Sequence, residues 1–189
     1  MTDPTLTFAT PQAWEAWLEQ NGGSSAGVWL RLAKKSAEAP TVTYAQAVEG
    51  ALCHGWIDGQ KQAESAHYWL QRFTPRGARS LWSQTNRRKA EALIASGRMR
   101  PAGLQAIQRA REDGRWDAAY APASTAAVPE DLQRALDAHP KARQFFSTLN
   151  SRNRYAILFR VQNAKKPETR ARKIAEFVEM LGRGEMLYP

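Results

Sequence analysis

The sequence is poor in the residues that bind metals and form disulfides, with one cysteine and three histidines among 189 residues. The single Cys53 cannot form an internal disulfide, and this cysteine usage is typical of a reducing compartment. His54, His67 and His139 are dispersed and lack the spacing of metal ligands. We therefore expect neither a disulfide scaffold nor a bound metal.

Long apolar segments are also lacking. No window of about 18 apolar residues occurs, which predicts that no helix spans a membrane. Residues 1–6 lack the basic and apolar regions of a secretory signal. These absences predict a cytoplasmic protein that does not insert into a membrane.

Glycine-rich phosphate loops are absent as well. The sequence has neither the G-x-G-x-x-G pattern nor a Walker lysine loop. We therefore expect no nucleotide cofactor, and a non-catalytic role is favoured over an enzymatic one.

Basic residues, by contrast, are abundant, and 27 of them stand against 18 acidic residues, for a net charge of +9. Residues 72–115 contain eleven basic and three acidic residues, and therefore carry most of this excess. Such an imbalance attracts nucleic acid, a small anionic ligand or an acidic protein surface. The alternative is that these charges are simply solvated.

Turn residues and hydrophobic periodicity predict an α+β fold. A helix capped by Thr10, a strand over 28–33 and a helix capped by Thr43 precede a β-hairpin over 56–73. Two further helices are predicted over 80–96 and 101–112. These elements form a small antiparallel sheet with packed helices.

The remainder of the chain is predicted to be helical. Residues 117–128 are rich in Ala, Pro, Ser and Thr and indicate a linker. Four helices follow, over 129–138, 140–149, 151–164 and 167–181. The predicted organisation is an α+β region (1–116), the linker, and an all-helical subdomain (129–189), sharing one continuous core. On the last helix, Arg170, Arg172 and Lys173 are expected on the solvated face.

Several strings of residues carry a resemblance to a known family. They are Gly55–Lys61, Trp69–Arg76, Trp82–Ser83 with Asn86, Asn153–Tyr155 and Lys165–Arg170. In order and spacing they resemble the bacterial YdeI/OmpD-associated (bacteriocin-protection) family, over residues 8–184. The resemblance implies a role in stress or bacteriocin protection and agrees with a cytoplasmic α+β protein. It implies no catalytic or ligand-binding residue.

The polar residues of the hairpin predict a single cleft. Asp58 is expected to lie opposite residues near Arg72, and arginine is suited to bidentate binding of carboxylate or phosphate. Tryptophans nearby would supply flat apolar walls. The candidate ligand-binding residues are Glu49, Trp56, Asp58, Lys61, Trp69, Arg72, Arg76, Trp82 and Asn86.

Other readings of these residues remain open. Asp58 can instead form a buried ion pair with Arg72 or Arg76 that has only a structural role. Trp82, among the basic residues of 72–115, can stack on bases in a sequence-tolerant nucleic-acid-binding protein, or can belong to the core. A small anion or an acidic partner is the preferred ligand.

Overall fold

The computed structural model describes residues 3–189, which divide into two units, the first ending at Ala119 and the second spanning Tyr120–Pro189. These are called the N-terminal unit and the C-terminal unit. The N-terminal unit contains β1 (Thr5–Leu6), α1 (Pro11–Asn21), β2 (Val28–Ala33), α2 (Tyr44–Cys53), β3 (Trp56–Ala63), β4 (Tyr68–Pro75), α3 (Gln84–Ala95) and α4 (Pro101–Glu112). The C-terminal unit contains α5 (Glu130–Asp137), α6 (Pro140–Thr148), α7 (Ser151–Gln162) and α8 (Pro167–Gly182). The α+β class is confirmed, with all the strands in the N-terminal unit.

The sheet has four strands in the order β1-β2-β4-β3. The predicted hairpin is β3 and β4, and β4 also pairs antiparallel with β2. The sheet is mixed rather than antiparallel, because β1 pairs parallel to β2. Two residues are too few to show an alternating pattern in the sequence, which explains why β1 was not predicted.

Helix starts follow the capping residues. Thr10 Oγ1 accepts a hydrogen bond from the N–H of Ala13, and Thr43 forms a capping box with Gln46. Ser83 caps α3, because its Oγ accepts the N–H of Asn86, and the helix therefore begins at Gln84 rather than at residue 80 as predicted.

Within residues 3–189, buried apolar residues form one cluster in the N-terminal unit and one in the C-terminal unit. In the N-terminal unit, the side chains of Trp14, Leu30 and Phe73 are fully buried and belong to the cluster between the sheet and the helices. In the C-terminal unit, one face of α7 and one face of α8 contribute to the same buried cluster, which includes Ile157 and Leu181.

Close helix packing in the N-terminal unit depends on one glycine. A Cβ at Gly103 in α4 would collide with the carbonyl oxygen of Cys53 and with Sδ of Met99, and would lie 2.8 Å from the carbonyl oxygen of Leu52. Helix α4 therefore approaches the end of α2 only because residue 103 has no side chain.

Candidate functional site: a basic, aromatic groove along α7

The predicted hairpin site is divided between the two faces of the sheet. Asp58 pairs with Phe73, not with Arg72, and Phe73 pairs with the buried Val28. Because neighbouring residues of a strand point to opposite faces, Asp58 lies on the core side and Arg72 on the other side. Asp58 thus lies opposite a residue next to Arg72, as expected, but the side chains of Asp58 and Arg72 are on opposite faces of the sheet.

Asp58, Lys61 and Trp69 do come together, beside the start of α2. The hydroxyl of Tyr44 donates a hydrogen bond to Asp58 Oδ2 at 2.6 Å, and the rings of Tyr44 and Trp69 are 5.8 Å apart. Lys61 Nζ lies 5.6 Å from the centre of the Trp69 ring. The partner of Asp58 is thus a tyrosine hydroxyl, and no ion pair of Asp58 with Arg72 or Arg76 is present within residues 3–189.

Arg76 and Trp82 form a separate, buried stack. The guanidinium carbon of Arg76 lies 3.6 Å from the centre of the Trp82 ring, and Nη1 donates to the carbonyl oxygen of Leu81 at 3.1 Å. Trp116 contacts the Trp82 ring edge-on at 4.8 Å. Trp82 is only 2% exposed, so stacking on a base is not available to it in this conformation.

The remaining predicted site residues have structural contacts. Trp56 is 1% exposed, and its Nε1–H donates to the carbonyl oxygen of Gly22. Glu49 forms an ion pair with Arg98, and Asn86 lies in the first turn of α3. The nine residues therefore do not form one cleft, and Trp56 and Trp82 belong to the core.

Part of the basic charge in residues 72–115 is paired with carboxylates. Five ion pairs join arginines of this stretch to carboxylates, and they are Arg72–Asp3, Arg87–Glu91, Arg98–Glu15, Arg98–Glu49 and Arg115–Asp113. A sixth contact, of Arg87 with Asp117, is longer, at 3.7 Å. Four of the eleven basic residues of this stretch are therefore held in ion pairs, Arg72, Arg87, Arg98 and Arg115.

A concave site lies in the C-terminal unit, along α7. This cavity, the α7 groove, has a volume of about 720 Å³. It is lined by Tyr120, Ala123, Ser151, Arg152, Tyr155, Ala156, Phe159, Arg160 and Tyr188. Helix α7 presents this face to the groove because its opposite face, with Ile157 and Val161, is buried in the core.

The walls of the α7 groove are aromatic. Tyr120 meets Phe159 edge-on at 5.0 Å, and Tyr155 lies 6.0 Å from Phe159. The hydroxyl of Tyr155 donates to the carbonyl oxygen of Ala121 at 2.9 Å, and burial raises the pKa of Tyr155. Tyr155 is therefore a neutral, fixed part of the wall at physiological pH.

The charges of the groove are all positive. Arg152 and Arg160 line it, and neither they nor Arg154 on the same helix forms an ion pair within residues 3–189. Their guanidinium groups rest on aromatic rings instead, with Arg154 4.6 Å from the ring centre of Phe146. No carboxylate lines the groove. Two arginines beside an aromatic wall thus remain available to an anion.

Sequence reasoning missed this site, although a signal for it exists. From Lys141 to Lys166 the sequence has seven basic residues and no acidic residue. Residues 72–115 contain more basic residues, but four of them form ion pairs with carboxylates of the same stretch or of distant segments. The complete lack of acidic residues over 141–166 is the more informative pattern.

Residues 23–27 contain a sequence pattern that is found around the catalytic serine of many hydrolases. Gly23–Gly27 matches the G-x-S-x-G pattern of many hydrolases, in which serine lies on a turn from a strand to a helix. Here the segment leads from α1 to β2, and Ser25 Oγ donates to the carbonyl oxygen of Gly27 at 3.1 Å. The pattern is therefore not a nucleophile elbow.

Residues 3–189 contain no helix that is long and apolar enough to cross a membrane. Within the same residues, no three His, Cys, Asp or Glu side chains cluster in a way that would hold a metal ion.

The structure is that of an α+β protein whose C-terminal unit is helical and carries the α7 groove. Residues 6–106 match the model of a domain of unknown function (DUF8412), and residues 125–184 match the model described as bacteriocin-protection, YdeI or OmpD-associated. The first match covers just over half of the chain, which therefore belongs to the DUF8412 family. Residues 125–184 are similar to the YdeI/OmpD-associated, bacteriocin-protection family, as the strings Asn153–Tyr155 and Lys165–Arg170 indicated. The search of curated proteins found no match, and the search of solved structures found none either. Most of the α7 groove lies in the segment that matches the bacteriocin-protection model.

Proposed function

We propose that this protein is a non-catalytic binding protein for a small organic anion, which lies in the α7 groove. The observation that carries the proposal is the pair Arg152 and Arg160, which have no carboxylate partner and line an aromatic cavity of about 720 Å³. The anionic group of the ligand binds the guanidinium groups, and its apolar body contacts the rings of Tyr155 and Phe159.

The chemistry of the lining supports this proposal. Guanidinium groups bind carboxylates and phosphates through paired N–H donors, and aromatic rings bury a large apolar area with little loss of side-chain entropy. Sites for small ligands have volumes of roughly 300–1,000 Å³ and combine apolar walls with few polar groups. The lining contains no carboxylate, imidazole or thiol that would act as a general base or nucleophile. The groove therefore favours binding over catalysis.

Four arginines of the N-terminal unit show the paired arrangement that Arg152 and Arg160 lack within residues 3–189. There, Arg31, Arg72, Arg98 and Arg115 each have a carboxylate partner within 3.1 Å. An arginine without such a partner lacks a stabilising charge–charge interaction, which the anionic group of a ligand can supply. A nucleic-acid-binding function has less support, because Trp82 and Trp116 are buried and cannot stack on bases in this conformation.

We also propose a cytoplasmic location, which is supported by the single thiol, Cys53, buried and free. The family description connects related proteins with bacteriocin protection. In this proposal, capture of an anionic small molecule is the biochemical activity behind such a role.

Ligand-induced stabilisation tests the proposal. The full-length protein is unfolded by heat, followed by circular dichroism at 222 nm, with and without millimolar aromatic carboxylates, aromatic phosphates and inorganic anions. A ligand at ten times its dissociation constant stabilises the folded state by about 1.4 kcal/mol, so a saturable rise in melting temperature is expected.

The variant with both Arg152→Ala and Arg160→Ala should lose this rise. The matched control is Arg172→Ala, which removes an arginine from α8 whose side chain is 71% exposed, and it should respond like the wild type. An equal rise in all three proteins, or no rise with any anion, contradicts the proposal.

A further inference from the structure

One tyrosine lies against both arginines of the α7 groove. The guanidinium carbon of Arg152 is 4.3 Å from the centre of the Tyr188 ring, and that of Arg160 is 5.8 Å from it. Arg160 Nη2 also donates to the Tyr188 hydroxyl oxygen at 3.3 Å. Two arginines that lie eight positions apart on α7 are thus brought to a single ring.

The position of Tyr188 is fixed by a buried side chain. Asn153 is 0% exposed, and its Oδ1 accepts the N–H of Tyr188 at 2.9 Å. Its Nδ2 donates to the carbonyl oxygen of Tyr188 at 2.8 Å. The N–H of Asn153 itself donates to Asn150 Oδ1, the cap of α7. The backbone at Tyr188 is therefore clamped to the first turn of α7.

This clamp organises the cationic end of the groove in advance. A guanidinium that stacks on a ring through one face keeps its N–H groups at its edge available. Ser151, in the first turn of α7, lines the same groove, and the positive end of the helix dipole lies at that turn. Two guanidinium groups and the N–H groups of a helix N-terminus provide many hydrogen-bond donors. One carboxylate, with two oxygens, leaves some of these donors without an acceptor.

We infer that the α7 groove selects phosphate monoesters of aromatic or heterocyclic alcohols, with Tyr188 as the residue that positions Arg152 and Arg160 for the phosphate. This inference rests on the proposed function and names its ligand class. A phosphate monoester has a charge near −2 and three terminal oxygens, which match two guanidinium groups. Its ring then lies on the wall formed by Tyr155 and Phe159, which inorganic phosphate cannot use.

Calorimetric titration of the full-length protein tests the ligand class with three probes. They are 1-naphthyl phosphate, 1-naphthoate and inorganic phosphate, each at pH 5.0 and pH 7.0. The second proton of a phosphate monoester dissociates near pH 6, so binding of naphthyl phosphate should tighten about tenfold between these pH values. Naphthoate is ionised at both and should bind with constant affinity, because carboxyl groups titrate near pH 4.

The lining of the groove contains no imidazole and no carboxylate, the groups that ordinarily change charge near these pH values. The pH dependence is therefore expected to come from the phosphate of the probe. Inorganic phosphate should bind at least tenfold more weakly than naphthyl phosphate, because it leaves the aromatic wall uncovered.

Two variants test the positioning role. Tyr188→Ala should lose the preference for naphthyl phosphate over naphthoate, whereas Tyr188→Phe keeps the ring and should retain most of it. Neither change alters Asn153, so the fold of the C-terminal unit is retained and circular dichroism verifies it.

The possible outcomes separate the inference from the proposed function. If naphthoate binds as tightly as naphthyl phosphate at pH 7.0 and both depend on Arg152 and Arg160, the phosphate class is wrong and the anion-binding function stands. If neither binds, or binding survives Arg152→Ala with Arg160→Ala, both are wrong. If Tyr188→Ala keeps the full preference, the positioning role is wrong.

Discussion

Arg170 is predicted to be a structural residue of the C-terminal unit, not a solvated one as its place in the sequence indicated. Its guanidinium donates two hydrogen bonds to Asp131 on α5, the longer at 2.9 Å, and a third to the carbonyl oxygen of Val161 at 2.7 Å. These bonds join α8 to α5 and to the end of α7. The perturbation is Arg170→Ala, and the matched control is Arg172→Ala on the same helix.

The expected loss follows from the number and exposure of these bonds. A hydrogen bond to a charged group contributes roughly 1.5–3 kcal/mol when buried, and an exposed ion pair contributes at most about 1 kcal/mol. The side chains of Arg170 and Asp131 are 27% and 35% exposed, between these limits. We expect Arg170→Ala to lower the free energy of unfolding by about 2 kcal/mol after this allowance for solvent. Arg172→Ala should cost less than about 0.5 kcal/mol, because the side chain of Arg172 is 71% exposed and its contact with Glu176 is 3.9 Å long.

Urea unfolding followed by circular dichroism at 222 nm measures both variants. The helical signal is the suitable probe, because all seven tryptophans precede residue 120 and their fluorescence does not report on the C-terminal unit. Equal effects of the two variants would refute the reasoning.

The same pair predicts a pH dependence. The hydrogen bond from Arg170 lowers the pKa of Asp131 below its ordinary value. A depressed pKa of a carboxyl group stabilises the folded state above the pKa of the unfolded chain, about 3.9, and this contribution is lost as pH falls through the folded value. The difference in stability between wild type and Arg170→Ala should therefore be constant from pH 5 to 7 and should shrink below about pH 4. A difference that grows on acidification contradicts this assignment.

Two further predictions concern the N-terminal unit. Gly103→Ala should destabilise the protein by about 2 kcal/mol through overpacking, whereas Gly182→Ala, whose new Cβ meets nothing within 4 Å, should not destabilise it, as urea unfolding will show. Cys53 is 1% exposed and burial raises the pKa of its thiol, so a thiol reagent should label it slowly in the native protein and rapidly in denaturant. Similar stability of the two glycine variants, or fast labelling of native Cys53, contradicts the packing described here.

Local structure was predictable because its causes are local. The caps Thr10 and Thr43 and the hairpin of β3 and β4 follow from short patterns in the sequence, and the structure confirms them. The faces of the hairpin were not predictable, because pairing of Asp58 with Phe73 rather than Arg72 is a shift of one residue. Such a shift exchanges the two faces of a strand.

Long-range partners were the second limit. Arg72 pairs with Asp3, 69 positions away, and no local pattern indicates that contact. The lining of the α7 groove includes Tyr120, which precedes α7 by about 30 residues, and Tyr188, which follows it by about 26 residues. No local pattern indicates that these residues lie beside α7. The charge of the groove, however, was visible in the absence of acidic residues from 141–166.

The location of the anion site is tested most directly by nuclear magnetic resonance. Amide resonances of the ¹⁵N-labelled full-length protein are followed during titration with 1-naphthyl phosphate, with Arg152→Ala plus Arg160→Ala as the control protein. We predict saturable shifts at residues 151–160 and at Tyr188, and none in the control. Shifts concentrated in the hairpin, at residues 58–76, would place the site where the sequence first indicated it and would contradict the account.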